Sequence, residues 1–274
     1  MRFQRFIPFV IHLFHKLRIG ITTSANLETL NRKQTEYDLV QSNLANTKND
    51  LVLILELSQM GLISLQHYED LIIALNSSKS ALRQEVFCLI YNNWKKEGYF
   101  VEFGAFDGIA DSNTLSLERD FHWTGILAEP NVNFARALKT NRKNTIEQLA
   151  IGGENQVSRS FLNYANLSTF AEYANKGSFN RKDGTLTNVE VITLTELLDR
   201  NNAPKIIDFL SIDTEGSELE ILTAFNFDKY SFNFICVEHN FTQNKLLLLD
   251  LMSNNGYKEV LQSHSKFDSF FVPK

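Results

Sequence analysis

Tyr99-Phe100-Val101-Glu102-Phe103-Gly104-Ala105-Phe106-Asp107-Gly108 is the stretch on which the reading of the fold turns. It is an apolar run of strand length, broken by one acid and closed by a glycine-bearing turn. Glycine lets a backbone turn tightly and approach a ligand with no Cβ in the way. A dinucleotide fingerprint would need three glycines spaced G-x-G-x-x-G, so that a pyrophosphate meets a helix N-terminus. Here the spacing is Glu-x-Gly-x-x-x-Gly. An acid at Glu102 repels phosphate and suits a cationic group such as an amino-acid ammonium. The competing reading is a plain strand-to-helix turn.

Outward from this stretch, short apolar runs alternate with longer polar segments. Residues 99–104, 125–129, 146–151, 206–212, 232–238, 257–261 and 269–272 read as strands, and 112–121, 131–143, 193–201, 216–224 and 242–255 as helices. Such alternation predicts an α/β fold, a mostly parallel sheet with helices on both faces. The last two strands are joined only by 262–268, too short for a helical crossover, so they should pair antiparallel. Residues 153–190 are rich in Ser, Asn and Gly and read as a segment inserted over the edge of the site.

Ligands in open α/β sheets bind outside the carboxyl ends of the strands. The second strand ends Leu127-Ala128-Glu129-Pro130, and an acid there can accept both hydroxyls of a ribose. Its competing reading is a surface glutamate before a turn proline. Glu102 and Glu129 together describe an adenosine-type ligand without a pyrophosphate and with a positive charge nearby. S-adenosylmethionine fits that description.

Several motifs then follow in order. They are Phe100 to Gly108 as quoted, Ser112-Asn113-Thr114, Leu117-Glu118, Trp123-Thr124-Gly125-Ile126-Leu127 and Glu129-Pro130-Asn131. Leu210-Ser211-Ile212-Asp213-Thr214-Glu215-Gly216-Ser217-Glu218 and Val237-Glu238-His239-Asn240 complete the set. Over roughly residues 84–272 the chain resembles the FkbM family of S-adenosylmethionine-dependent methyltransferases. The resemblance implies a class I Rossmann-like sheet of seven strands, the last antiparallel, and O-methylation of sugars or other small hydroxylated metabolites. It also implies a cofactor-lining set of Glu102, Gly104, Ala105, Asp107, Gly108, Asn113, Glu129, Pro130, Ala150 and Asp213. In that set Glu102, Gly104 and Gly108 face the methionine end and Glu129 the ribose. Related methyltransferases often carry Asp where Glu102 stands.

Methyl transfer to a hydroxyl needs a positioned acceptor and a group to take its proton. Asp213, at the end of the fourth strand, and His239, after the fifth, are rival bases, since neutral imidazole is abundant near pH 7. Glu215 is a third catalytic candidate, whereas Glu218 suits the start of the following helix. A divalent cation held by Asp213, Glu215 and Glu238 is a further option, although no His/Cys metal spacing supports it. Asp268 receives no role, and His12, His15, His67, His122 and His264 sit in no catalytic spacing.

The first twenty residues carry Arg2, Arg5, Lys16 and Arg18 around a short apolar run broken by Pro8 and His12. The run is too short to span a membrane. It reads as a helix packed on the protein, as a basic Phe-rich segment at a membrane surface, or as a weak signal peptide. From Ser24 to Met60 there is no Gly or Pro, and Leu30, Tyr37, Leu44 and Leu51 recur every seven residues. The companion seam positions Lys33, Val40, Thr47 and Ile54 are only half apolar, so a long amphipathic helix is expected and a dimerising coiled coil through 24–60 is a weaker option. Residues 62–95 read as one or two helices broken near Asn76-Ser77-Ser78. The domain plan is therefore 1–20, a helical extension 21–83, and the α/β domain 84–274.

The 274 residues carry a net charge of −5, which excludes a broad nucleic-acid surface. Cys88 and Cys236 lie in apolar runs and read as reduced core residues, favouring a cytoplasmic location, with or without contact to the membrane. Two other functions compete with methylation of a glycan or small-molecule acceptor. One is NAD-dependent sugar oxidoreduction, opposed by the missing third glycine and by Glu102. The other is a non-catalytic dimeric scaffold with a degenerate cofactor fold, opposed by the intact Glu102/Gly104/Gly108, Glu129 and Asp213 set.

Overall fold

A computed structural model describes residues 24–174, 181, 183–241 and 244–274 and, within the first helix, only some of the side chains. The expectations placed on residues 1–20 lie outside the described residues. The chain divides into two compact units, Met1–Leu62 and Ile63–Lys274. In the first unit, helix α1 runs Ser24–Gln59 without interruption, as expected where no Gly or Pro intervenes. It ends with Leu62 N donating to Leu57 O at 2.9 Å and Gly61 N to Ser58 O at 3.0 Å, the paired bonds that close a helix over a C′ glycine. No helix among the described residues is long and apolar enough to cross a membrane.

The second unit opens with helices α2 (Tyr68–Ser77) and α3 (Gln84–Tyr91). The α/β region follows as β1 (Tyr99–Phe103), α4 (Leu115–Phe121), β2 (Thr124–Ala128), α5 (Ala135–Asn141), β3 (Thr145–Glu147), β4 (Ala150–Ile151), β5 (Val157–Asn163), β6 (Thr169–Phe170) and β7 (Thr185–Ile192). It continues as α6 (Leu194–Arg200), β8 (Ile206–Ile212), α7 (Glu218–Thr223), β9 (Ser231–Glu238), α8 (Asn244–Asn254), β10 (Tyr257–Val260), α9 (Gln262–Ser265) and β11 (Asp268–Pro273). Seven strands form one sheet in the order β10-β11-β9-β8-β1-β2-β3. β1, β2, β3, β8 and β9 pair in parallel, while β11 runs antiparallel to both β9 and β10. This is the class I arrangement that the strand reading and the resemblance imply.

Strands buried on both faces read as mainly apolar runs, and β8 and β9 do so, broken inside only by Asp208, Ser211 and Asn233. On one face Val101, Phe103, Leu210, Ile212, Ile235 and Val237 pack against Leu194, Leu197, Ile221, Leu222, Leu248 and Met252 of α6, α7 and α8. On the other, the rings of Phe209, Phe234, Phe270 and Phe87 follow one another at centroid distances of 5.8, 5.6 and 5.4 Å. The abundant phenylalanines thus fill the core that α3 closes. Cys88 and Cys236 are both buried and form no disulfide.

Two details differ from the sequence reading. The strand expected over 146–151 is two strands. β3 stays in the main sheet, and the chain then turns so that Ala150 and Ile151 pair with Val191 and Ile192 of β7. The polar stretch 153–190 is not irregular: β5, β6 and β7 join β4 in a second, four-stranded sheet. Ser158, Ser160, Thr185, Thr187 and Asn188 of its strands are exposed and hide an inward row of Phe161, Phe170, Val189 and Val191, which form a core of their own.

Candidate active site

The carboxyl ends of β1, β2 and β8 converge on a cleft that encloses about 520 Å³ of free space, open mouth included. Gly104, Phe106, Glu129, Pro130, Asp213 and Glu215 line it from the main sheet, and Ala150, Ile151, Phe161 and Phe170 from the second sheet. The loop with Ala165, Asn166 and Ser168 forms the outer wall. The inserted segment therefore lies over the site edge, as its position in the sequence suggests.

Gly104 stands at the point of closest approach between two strands. Its φ is +75°, and a Cβ there would lie 2.0 Å from the Asp213 carbonyl oxygen. Only a residue without a side chain allows β1 to end against β8 in this way. Phe106 (φ 47°) and Glu215 (φ 60°) take left-handed conformations at the cleft rim without being glycine. Such conformations persist only where surrounding contacts hold them.

Glu129 is 7% exposed. Its Oε2 accepts from Phe106 N at 2.9 Å and its Oε1 from Asn131 N at 2.8 Å. Burial raises its pKa to about 6, against the pull of those two N–H donors. Each oxygen keeps unused acceptor capacity, because an ionised carboxylate offers about four lone-pair sites.

Asp213 joins the cleft to a second, smaller cavity of about 320 Å³, lined also by Gln84, Asp111, Asn113, Cys236, Glu238 and Asp268. Water reaches Asp213 through these openings, while protein crowds it on the other sides. A carboxylate oxygen of Asp213 lies within 4.8 Å of one of Glu238. Burial and the charges of Glu215, Asp268 and Glu218 raise the pKa of Asp213, and burial and Asp213 raise that of Glu238. Two carboxylates so placed hold a proton between them. Glu215 is pushed up to about 7 by burial, opposed by the Arg181 guanidinium 2.6 Å away. Asp268 accepts from Gln84 Nε2 and from the Cys236 thiol, each at 2.9 Å.

Asp213, Glu215 and Glu238 bring carboxylate oxygens within 4.8 Å of one another, close enough to share one cation. Arg181 and the shared proton already balance two of their three charges.

The remaining expected residues divide sharply. Pro130 and Ala150 line the cleft, and Ala105 lies buried behind it. Asn113 lines the smaller cavity, and its Oδ1 is buried without a partner among the described residues. Glu102, by contrast, turns away from both cavities. It accepts from Asn113 N at 2.7 Å, Thr114 Oγ1 at 2.5 Å and Ser112 Oγ at 3.2 Å, and it pairs with the buried Arg142 at 3.4 Å. Asp107 closes its own turn by accepting from Ile109 N and Ala110 N. Gly108 backs onto Arg142 and Leu138 of α5. Glu218 closes the 214–218 turn, accepting from Thr214 N and Gly216 N. His239 lines neither cavity. Its Nδ1 accepts from Phe241 N at 3.0 Å, Nε2 is buried without a partner among the described residues, and burial lowers its pKa.

The sequence reading missed Phe161, whose signal was the alternation along β5, and Phe170, Ser168 and Arg181, for which a polar stretch offers no signal.

A sheet of this order with a cleft at the ends of its parallel strands defines a class I methyltransferase fold. The model of the methyltransferase FkbM domain matches residues 102–259, more than half of the chain, and the protein belongs to that family. Among solved structures, the methyltransferase FkbM from Methylobacillus flagellatus is similar at 13% identity and a TM-score of 0.40, over 73% of this chain and 57% of that one. The chain thus matches little more than half the length of that relative. A precorrin-6y C5,15-methyltransferase from Geobacter metallireducens is similar at 10% identity and a TM-score of 0.37, over 69% of this chain and 85% of that one. The ribosomal protein L11 methylase from Lactobacillus delbrueckii subsp. bulgaricus follows at 8% and 0.36, over 70% and 76%. No curated protein matches the sequence.

Proposed function

We propose that this methyltransferase uses S-adenosylmethionine to methylate a hydroxyl of a saccharide, glycolipid or similar small metabolite. The observation that carries the reading is Glu129, a buried carboxylate at the end of β2 with unused acceptor capacity on both oxygens. The paired hydroxyls of a ribose supply the matching donors. The residues around it fit the rest of the cofactor. Leu149, Ala150, Ile151, Phe161 and Phe170 offer an apolar slot for a purine. Asp213, Glu238 and the unpartnered Asn113 Oδ1 suit a methionine ammonium.

When bound, the cofactor supplies a methyl group on a positively charged sulfur, which departs as a neutral thioether. The chain's residues do the rest. The cleft walls orient the partners, and positioning of this kind can lower a barrier by about 7–11 kcal/mol. In this reading Asp213 takes the hydroxyl proton, a contribution of about 10²–10⁴-fold. Glu238 stands beside it, and the pair returns a proton to water through the openings on either side. His239 is the weaker base, since its Nδ1 is occupied and its Nε2 carries the hydrogen in the neutral ring.

Isothermal titration of S-adenosylmethionine and S-adenosylhomocysteine tests the cofactor. Micromolar binding to the wild type, weakened about tenfold (about 1.4 kcal/mol) in Glu129→Ala, is expected. Absence of heat with both ligands would remove this reading.

A further inference from the structure

The smaller cavity meets the cleft at Asp213, the residue that lines both. Asp111, Asp213, Glu238 and Asp268 bring four carboxylates to its wall, beside Asn113 and Gln84. Asn113 is 7% exposed. Its Nδ2 donates to Ser211 Oγ at 2.8 Å, and its Oδ1 is buried without a partner among the described residues. A buried acceptor left open is costly until a donor reaches it. We propose that Asp268 binds the amino group of the cofactor in this cavity and that Gln84 is its positioning residue, an assignment that rests on the S-adenosylmethionine reading.

Asp268 opens β11, where the register sets it opposite Glu238 of β9. Both protein donors that reach its carboxylate, Gln84 Nε2 and the Cys236 thiol, go to Oδ2. Oδ1 accepts from no donor among the described residues and keeps its lone pairs. An ammonium carries three N–H donors. Asn113 Oδ1, Asp268 Oδ1 and the Asp213–Glu238 pair offer acceptors for them, and the carboxylates supply the opposite charge. Charge-assisted bonds of this kind are about twice as strong as neutral ones.

Gln84 is itself held fast. Its Oε1 accepts from Leu82 N at 2.9 Å, and its backbone N donates to Ser80 Oγ at 3.2 Å. With its oxygen committed to a backbone N–H, the amide presents Nε2 to Asp268. A flipped amide would set oxygen against the carboxylate and leave Leu82 N without its acceptor. Gln84 starts α3 and Asp268 starts β11, so both lie outside residues 102–259, the segment that the family model matches. The flanks of the family domain thus complete the site.

Titration calorimetry on the full chain tests this with S-adenosylhomocysteine and its deamino analogue, in which hydrogen replaces the amino group. The wild type should bind the analogue at least about fivefold more weakly. In Asp268→Asn, S-adenosylhomocysteine should weaken at least about fivefold and the analogue less than about twofold. Gln84→Leu should show the same selective loss, since the carboxylate then lacks the donor that fixes it. A packing defect would instead weaken both ligands alike. A wild-type preference for the amine below that level would overturn the ammonium site without recourse to a variant. Equal weakening of the two ligands in Asp268→Asn would overturn the role of Asp268, and equal weakening in Gln84→Leu the role of Gln84. Failure of the wild type to bind S-adenosylhomocysteine would instead strike the cofactor reading, and the two failures are distinguishable.

Discussion

The ends of β1 and β2 lie side by side, and each carries one buried glutamate with an opposite fate. Glu102 is filled from within the protein by Ser112, Asn113, Thr114 and Arg142. Glu129, one strand away, accepts two backbone N–H groups and stops there. Burial is similar, 3% and 7% exposed. Burial of an acid therefore does not mark a binding site in this fold. What separates the two is the acceptor capacity left over once the protein's own donors are counted. The first carboxylate ties the β1 loop to Arg142, just after α5, and the second keeps unused acceptor capacity in the cleft.

The comparison breaks most completely at Gly104, which sits between the two. Gly104→Ala drives a Cβ into the Asp213 carbonyl at a positive φ. It should cost about 4 kcal/mol or more, measured by urea unfolding; a loss under about 1 kcal/mol would mean that the β1–β8 junction yields. Glu102→Ala comes next. It strips the buried Arg142 of one of its two carboxylate partners, the other being Glu118 at 2.7 Å. About 3 kcal/mol should be lost, a fall in Tm of about 6–12 °C. An unshifted melting curve would show that Glu102 is not the tie described.

Glu129→Gln sharpens the contrast, because the amide keeps one acceptor oxygen. Stability should fall by about 1 kcal/mol, with S-adenosylhomocysteine affinity between wild type and Glu129→Ala. Larger damage to stability than in Glu102→Ala would invert the two roles.

The smallest effect is in pH. Burial raises the folded-state pKa of Glu129 to about 6, so below that value the carboxyl is protonated and offers fewer acceptor sites. If the ionised form binds, affinity for S-adenosylhomocysteine should rise about fourfold from pH 5.5 to 7.5, following the ionised fraction. Titration calorimetry on wild type and Glu129→Gln checks this, the variant being expected to stay flat.

Much of the frame was legible in the residues. β8 and β9 are read from largely apolar runs, broken inside only by Asp208, Ser211 and Asn233, because both of their faces are buried, and α1 from its lack of Gly and Pro. Glu129 and Asp213 are read from their places at strand ends. The second sheet was not, because its outer faces are polar and its inner row is short. Nor could spacing show that Glu102 and Gly108 serve packing. The donors that fill Glu102 come from residues 112–114 and 142, and the atoms that crowd Gly108 from residues 138 and 142.

By itself the sequence determined the order of the main-sheet strands and their helices, the glycine at 104 and the carboxylates that end β1, β2, β8 and β9. These follow from local rules, in which apolar runs make strands and a missing Cβ permits a turn. Only the tertiary structure decided which carboxylates remain open. It set Glu238 against Asp213, Arg181 against Glu215, and Arg142 against Glu102, and it turned His239 onto the Phe241 amide. The physical reason is that a carboxylate's chemistry depends on donors and charges within a few ångströms. In this chain those neighbours come from segments tens of residues apart, which only the packed fold brings together.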